Sequence, residues 1–132
     1  MLKAQMPSDR IAMGLSLACV LHCFLAPSLI VLSYGVSSFN IESELIHYLI
    51  IMLTVPISIF ALTLGYKNHK GVSFFVTGVI GISVLILAVI MGEDILGDVG
   101  EKGLTLVGSI IVVYAHYSNY RTCQKLDCTC HD

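Results

Sequence analysis

Residues 11–34 read IAMGLSLACVLHCFLAPSLIVLSY, an apolar run of 24 residues with no Asp, Glu, Lys or Arg. As an α-helix at about 1.5 Å per residue it is long enough to cross the hydrocarbon core of a bilayer. Working outward, charges cut the rest of the chain into three more runs of the same kind. These are Leu45–Tyr66 between Glu44 and Lys67, Gly71–Gly92 between Lys70 and Glu93, and Gly103–Tyr120 between Lys102 and Arg121. The connections are short, so successive helices should be antiparallel neighbours. The expected fold is all-α: a four-helix transmembrane bundle over 1–122, followed by a Cys/His-rich tail over 123–132.

Composition points the same way. The 132-residue chain is 56% hydrophobic and 12% charged, with a net charge of −2 and a mean hydropathy of +0.87. Its near-neutral charge, without basic blocks, excludes nucleic acid as an expected partner. The lipid bilayer takes that place. The first run is too long for the h-region of a signal peptide and ends without a small-x-small cleavage site, so it is expected to stay in the protein. Lys and Arg lie before the first run, between the second and third, and after the fourth. The loop with Glu42 and Glu44 has no basic residue, and Glu93–Lys102 carries four acids against one Lys. Positive-inside counting therefore expects both termini, and the Lys67–Lys70 turn, in the cytoplasm of a multi-pass membrane protein.

Within the first run stand Cys19, His22 and Cys23. The spacing i, i+3, i+4 puts them on one face of a helix. Nine residues from Arg10, at about 1.5 Å each, place Cys19 roughly 13 Å deep, near mid-bilayer. Titratable groups are costly there and mark function by default. Thiolate and imidazole are ligands for zinc and other thiophilic ions. His47 near the outer end of the second run and His116 near the inner end of the fourth are candidate way stations. The tail adds Cys123, Cys128, Cys130 and His131, a dense soft-ligand segment whose thiols should stay reduced in the cytoplasm. His69, in the turn between the second and third runs, reads as a solvated loop residue. Gly71, Gly78, Gly81 and Ser83 with Ala88 in the third run, and Gly103 and Gly108–Ser109 in the fourth, read as small-residue faces for close helix packing.

With these residues in place the chain resembles the MerC family of bacterial inner-membrane mercuric-ion carriers. The resemblance rests on four spans, thiols in the first, Ala115-His116-x-x-Asn119-x-Arg121-x-Cys123 closing the fourth, and the pair Cys123-x4-Cys128. It implies thiol capture in the first span and hand-over to thiols on the cytoplasmic side. It does not imply an enzyme or a permanent cofactor. The first-span motif Cys19-x-x-His22-Cys23 departs from the Cys-x-x-Cys of the best-known mercury carriers. Mercury(II) prefers two thiolates, whereas an added imidazole suits tetrahedral zinc. The expected function is uptake of mercuric ion or zinc, with a cytoplasmic metal acceptor and a homodimer as compatible partners. A membrane thiol-disulfide oxidoreductase is disfavoured because both acidic outer loops lack Cys. Haem held by His47 and His116 is disfavoured because the two lie at opposite depths. A non-transporting membrane subunit would leave the buried cluster unexplained.

Overall fold

A computed structural model gives the backbone of residues 5–32 and 39–125, with side-chain surroundings for 5–22, 45, 48–97 and 99–125. Apart from the turn at Lys70 and Gly71 and the break at Gly92 and Gly97, the described residues are helical. The elements are α1 (Gln5–Leu32), α2 (Phe39–His69) and α3 (Val72–Lys125). Helix α3 is two helical arms merged across a kink at Gly92 (φ 54°) and Gly97 (φ 68°). Both angles lie in the left-handed region, which glycine enters without a Cβ penalty. The arms, 72–91 and 98–125, supply the third and fourth helices of the expected bundle.

Residue pairs show how the helices run. Gln5 hydrogen-bonds Asn68, while Cys19 packs with Ile51, so α1 and α2 point in opposite directions. Leu62 faces Gly78, and the rings of Tyr66 and Phe75 stand 5.3 Å apart, which turns the first arm back along α2. Gly81 lies against Val112 and Gly108 against Leu85, which turns the second arm back along the first. The apolar core between α2 and the two arms is Leu62, Ile82, Leu85, Val112 and Ala115.

Burial is inverted relative to a protein that folds in water. Large apolar side chains point outward, with Met52 70%, Ile90 72% and Val99 84% exposed. Gln5, Asp9, Ser16, Ser58, Thr105, Ser109 and His116 are wholly buried. Among the described residues two segments are long and apolar enough to cross a membrane, Tyr48–His69 and Val72–Gly97. Their most apolar stretches are only 33% and 28% buried, whereas the core helix of a water-soluble protein would be mostly covered. An apolar solvent outside and a polar seam inside account for both facts.

Several helices run past the charge-delimited segments, α2 covering Phe39–His69 and α3 continuing to Lys125 so that Cys123 stands in the helix, and two further boundaries bear on the interior. Helix α1 begins at Gln5, six residues before the apolar run, and the second arm includes Glu101, which is buried rather than looped out. In both places a polar residue continues the helix because its side chain finds the bundle interior.

Candidate functional site

The buried faces of α1 and of the second arm are written in polar residues at helical spacing. On α1 they are Gln5, Asp9, Ser16 and Cys19, with Ala12 between. On the second arm they are Glu101, Thr105, Ser109, His116, Asn119 and Cys123, with Val112 between. Steps of three and four keep each set on one side of its helix.

At one end of the bundle these faces close into a hydrogen-bond chain across three helices. The backbone N–H of Gly71 donates to Nδ1 of His69 at 3.2 Å. That leaves the His69 proton on Nε2, which donates to Oδ1 of Asn119 at 2.8 Å. Nδ2 of Asn119 donates to Oδ2 of Asp9 at 2.9 Å. The other Asp9 oxygen accepts from Nδ1 of His116 at 2.8 Å. Both Asp9 and His116 are wholly buried. His116 Nε2 has no hydrogen-bond partner among the described residues.

Local backbone makes this chain possible at two points. Lys70 adopts a left-handed conformation (φ 55°) and donates its N–H to the Tyr66 carbonyl at 2.9 Å, ending α2. The chain then doubles back so that Gly71 reaches the His69 ring. Gly65 supplies the second point, since a Cβ there would overlap the Asn119 side chain. Nearby, Arg10 donates to the Tyr120 hydroxyl at 2.7 Å and lies 5.3 Å over its ring. His69 is therefore a half-buried member of this network at the end of α2 and not a solvated loop residue.

Further in, Cys19 is a buried thiol packed on Ile51, with Ile50, Val55 and Val89 around it. It stands ten residues from Asp9, about 15 Å along α1. His22 is half-buried, one turn further. Between the thiol and the network, Ser16, Ser58 and Ser109 are wholly buried, and none of their hydroxyls has a partner among the described residues. Counted from the Asp9–His116 and His69–Asn119 contacts, these three serines fall within about one helical turn of a common level. At the other side of the network Cys123 is a buried thiol on the His116 face of α3. The side chains of Cys23 and His47, and the residues Cys128, Cys130 and His131, lie outside the described residues. Among the described residues no group of three or more His, Cys, Asp or Glu converges on one point.

The sequence reading missed the link of Asp9 and Asn119 to the two histidines, and the common level of the three serines. Their signal was the three-and-four spacing of polar residues in helices otherwise apolar.

An all-helical chain with an apolar exterior and carboxylate, imidazole and thiol on its inward faces is a membrane protein built around a polar interior. The chain belongs to the MerC family: the family model described as MerC mercury resistance protein matches residues 9–121. No curated protein and no solved structure shows a significant match to it.

Proposed function

We propose that the protein is a multi-pass carrier of the bacterial inner membrane, both termini cytoplasmic, that takes up a thiophilic divalent ion, mercuric ion or zinc. Cys19, with His22 and Cys23, captures the ion within the membrane. His116 receives it near the inner end, and Cys123 with the thiols of 123–132 passes it to a cytoplasmic acceptor. The observation that carries this is the bare, buried Nε2 of His116 lying between two buried thiols on the inward faces of α1 and α3. A neutral imidazole nitrogen with a free lone pair is a metal ligand, and it binds a soft ion less tightly than a thiolate. A weaker station between stronger ones lets an ion move on. The buried carboxylate of Asp9 favours a cation at that station. The polar seam from Cys19 through the serine level supports passage of an ion that lipid alone would reject.

Uptake of mercuric ion or zinc by cells producing the protein tests this. Cys19→Ser/Cys23→Ser should abolish accumulation while the protein remains in the membrane. Normal uptake by that double variant would overturn the carrier reading. Single cysteines at Ser38 and Asp98 should react with an impermeant thiol reagent in intact cells. Labelling only after lysis would reverse the orientation.

A further inference from the structure

We infer that Asp9 is a positioning residue that holds His116 with its proton on Nδ1 and Nε2 bare, and that the Gly71 backbone N–H sets the polarity of the whole arrangement. This inference rests on the reading of His116 as an ion station.

A backbone N–H cannot become an acceptor, so the chain of bonds has one direction. Gly71 N–H occupies the lone pair on His69 Nδ1. His69 must then carry its proton on Nε2, and Asn119 must turn its oxygen to His69. The Asn119 amide group then faces Asp9 as a donor. Carboxylate oxygens accept, so His116 meets Asp9 with Nδ1–H. In a neutral ring the remaining nitrogen is an unprotonated acceptor. Of the side-chain nitrogens in this hydrogen-bond chain, it alone is left without a partner. A carboxylate behind an imidazole is the general device for fixing the tautomer and raising the basicity of a metal-binding ring. Here the device spans three helices, and its far end is the turn between α2 and α3.

The direction makes an unusual prediction for Asp9→Asn. Asn119 still presents its amide protons to position 9, so the new asparagine must meet them with its oxygen. Its own NH2 then faces His116, which must accept at Nδ1. The His116 proton is driven to Nε2, and the ligand lone pair is lost. Asn119→Asp alone would set two carboxylates against each other. Combined, Asp9→Asn/Asn119→Asp satisfies every donor and acceptor again. The introduced carboxylate accepts from His69 and from the introduced amide, whose oxygen accepts from His116 Nδ1–H.

Full-length protein with 15N-labelled histidine, in micelles without metal, reports each tautomer by NMR. The expected pattern for His116 is Nδ1–H in the wild type, Nε2–H in Asp9→Asn, and Nδ1–H again in the double variant. Zinc added to the same samples should perturb His116 Nε2 in the wild type and the double variant only. Cellular uptake should fall about 10–100-fold in Asp9→Asn and recover in the double variant. A folded Asp9→Asn protein that keeps Nδ1–H would overturn the inference. Should that variant fail to fold, the double variant decides, because a folded double variant with Nε2–H would also overturn it. The metal-free tautomer pattern separates the two readings. If it holds while the wild type accumulates no metal, the carrier reading alone fails. If uptake is normal and the pattern is absent, the positioning inference alone fails.

Discussion

The two arms of α3 are packed against each other and share a sequence rich in Ile, Val and Leu, yet they bury different chemistry. Arm 72–91 turns Gly78, Gly81, Ile82, Leu85 and Ala88 inward. Arm 98–125 turns Glu101, Thr105, Ser109, His116, Asn119 and Cys123 inward. In lipid, small and apolar inward residues let helices approach, which is the whole requirement of a scaffold. Inward polar residues in a membrane helix mark a functional-site candidate by default, and arm 98–125 carries six of them. The proposed function thus assigns architecture to one arm and chemistry to the other.

The comparison breaks most visibly at His116. His116→Ala should lower metal uptake about 100-fold or more, since it removes a ligand outright, whereas loss of outer-shell partners costs about 10–100-fold. Ile82→Val, at an equally buried position of the other arm, removes one methylene and should cost about 1 kcal/mol of stability with uptake per folded molecule unchanged. Equal effects on uptake from the two variants would end the division of labour.

A smaller effect is expected from Gly65→Ala. The new Cβ overlaps the Asn119 side chain, which is held on both sides by hydrogen bonds and has little room to withdraw. The link from His69 to Asp9 should part without loss of any polar atom. Uptake should drop about tenfold, the lower end of the range for outer-shell changes to a metal site. Gly65→Ala uptake equal to wild type would show that the chain behind Asp9 has no part in holding His116.

How far the amino-acid sequence discloses these two arms depends on the interaction involved. The four helical segments are legible because charged residues bound each apolar run, a one-dimensional signal. Cys19 and His116 are legible because thiols and imidazoles inside apolar runs are costly. Asp9 is hidden by the same rule: a charge-delimited reading puts it outside the span, next to Arg10. Its partner His116 is 107 residues away, and no local pattern announces that pairing. His69 is hidden because a turn residue between Asn68 and Lys70 looks solvated until Gly65 lets Asn119 reach it. Glu101 is hidden because the left-handed Gly97 restarts a helix inside what reads as an acidic loop.

The smallest expected effects test the comparison by sign. At Gly81 in the scaffold arm an added Cβ would stand 2.8 Å from Val112 Cγ2 and 3.0 Å from the Val112 backbone nitrogen. The backbone cannot yield as a side chain can, so Gly81→Ala must push the arms apart. It should cost about 1–3 kcal/mol, the usual range for overpacking, with uptake per folded molecule unchanged. At Ser109 in the polar arm the reverse holds. Its hydroxyl is wholly buried without a partner, and an unsatisfied buried group of this kind carries a penalty of about 1–3 kcal/mol. Ser109→Ala removes that penalty and little volume, so thermal unfolding in detergent should shift upward. Uptake should nevertheless decline, because the serine level lies between Cys19 and His116 and its hydroxyls are the polar surface available to an ion there. Stability and transport thus move in opposite directions in the polar arm, while in the scaffold arm only stability moves. A Ser109→Ala protein that gains stability and transports at the wild-type rate would remove the serine level from the pathway and leave His116 and the thiols to account for passage alone.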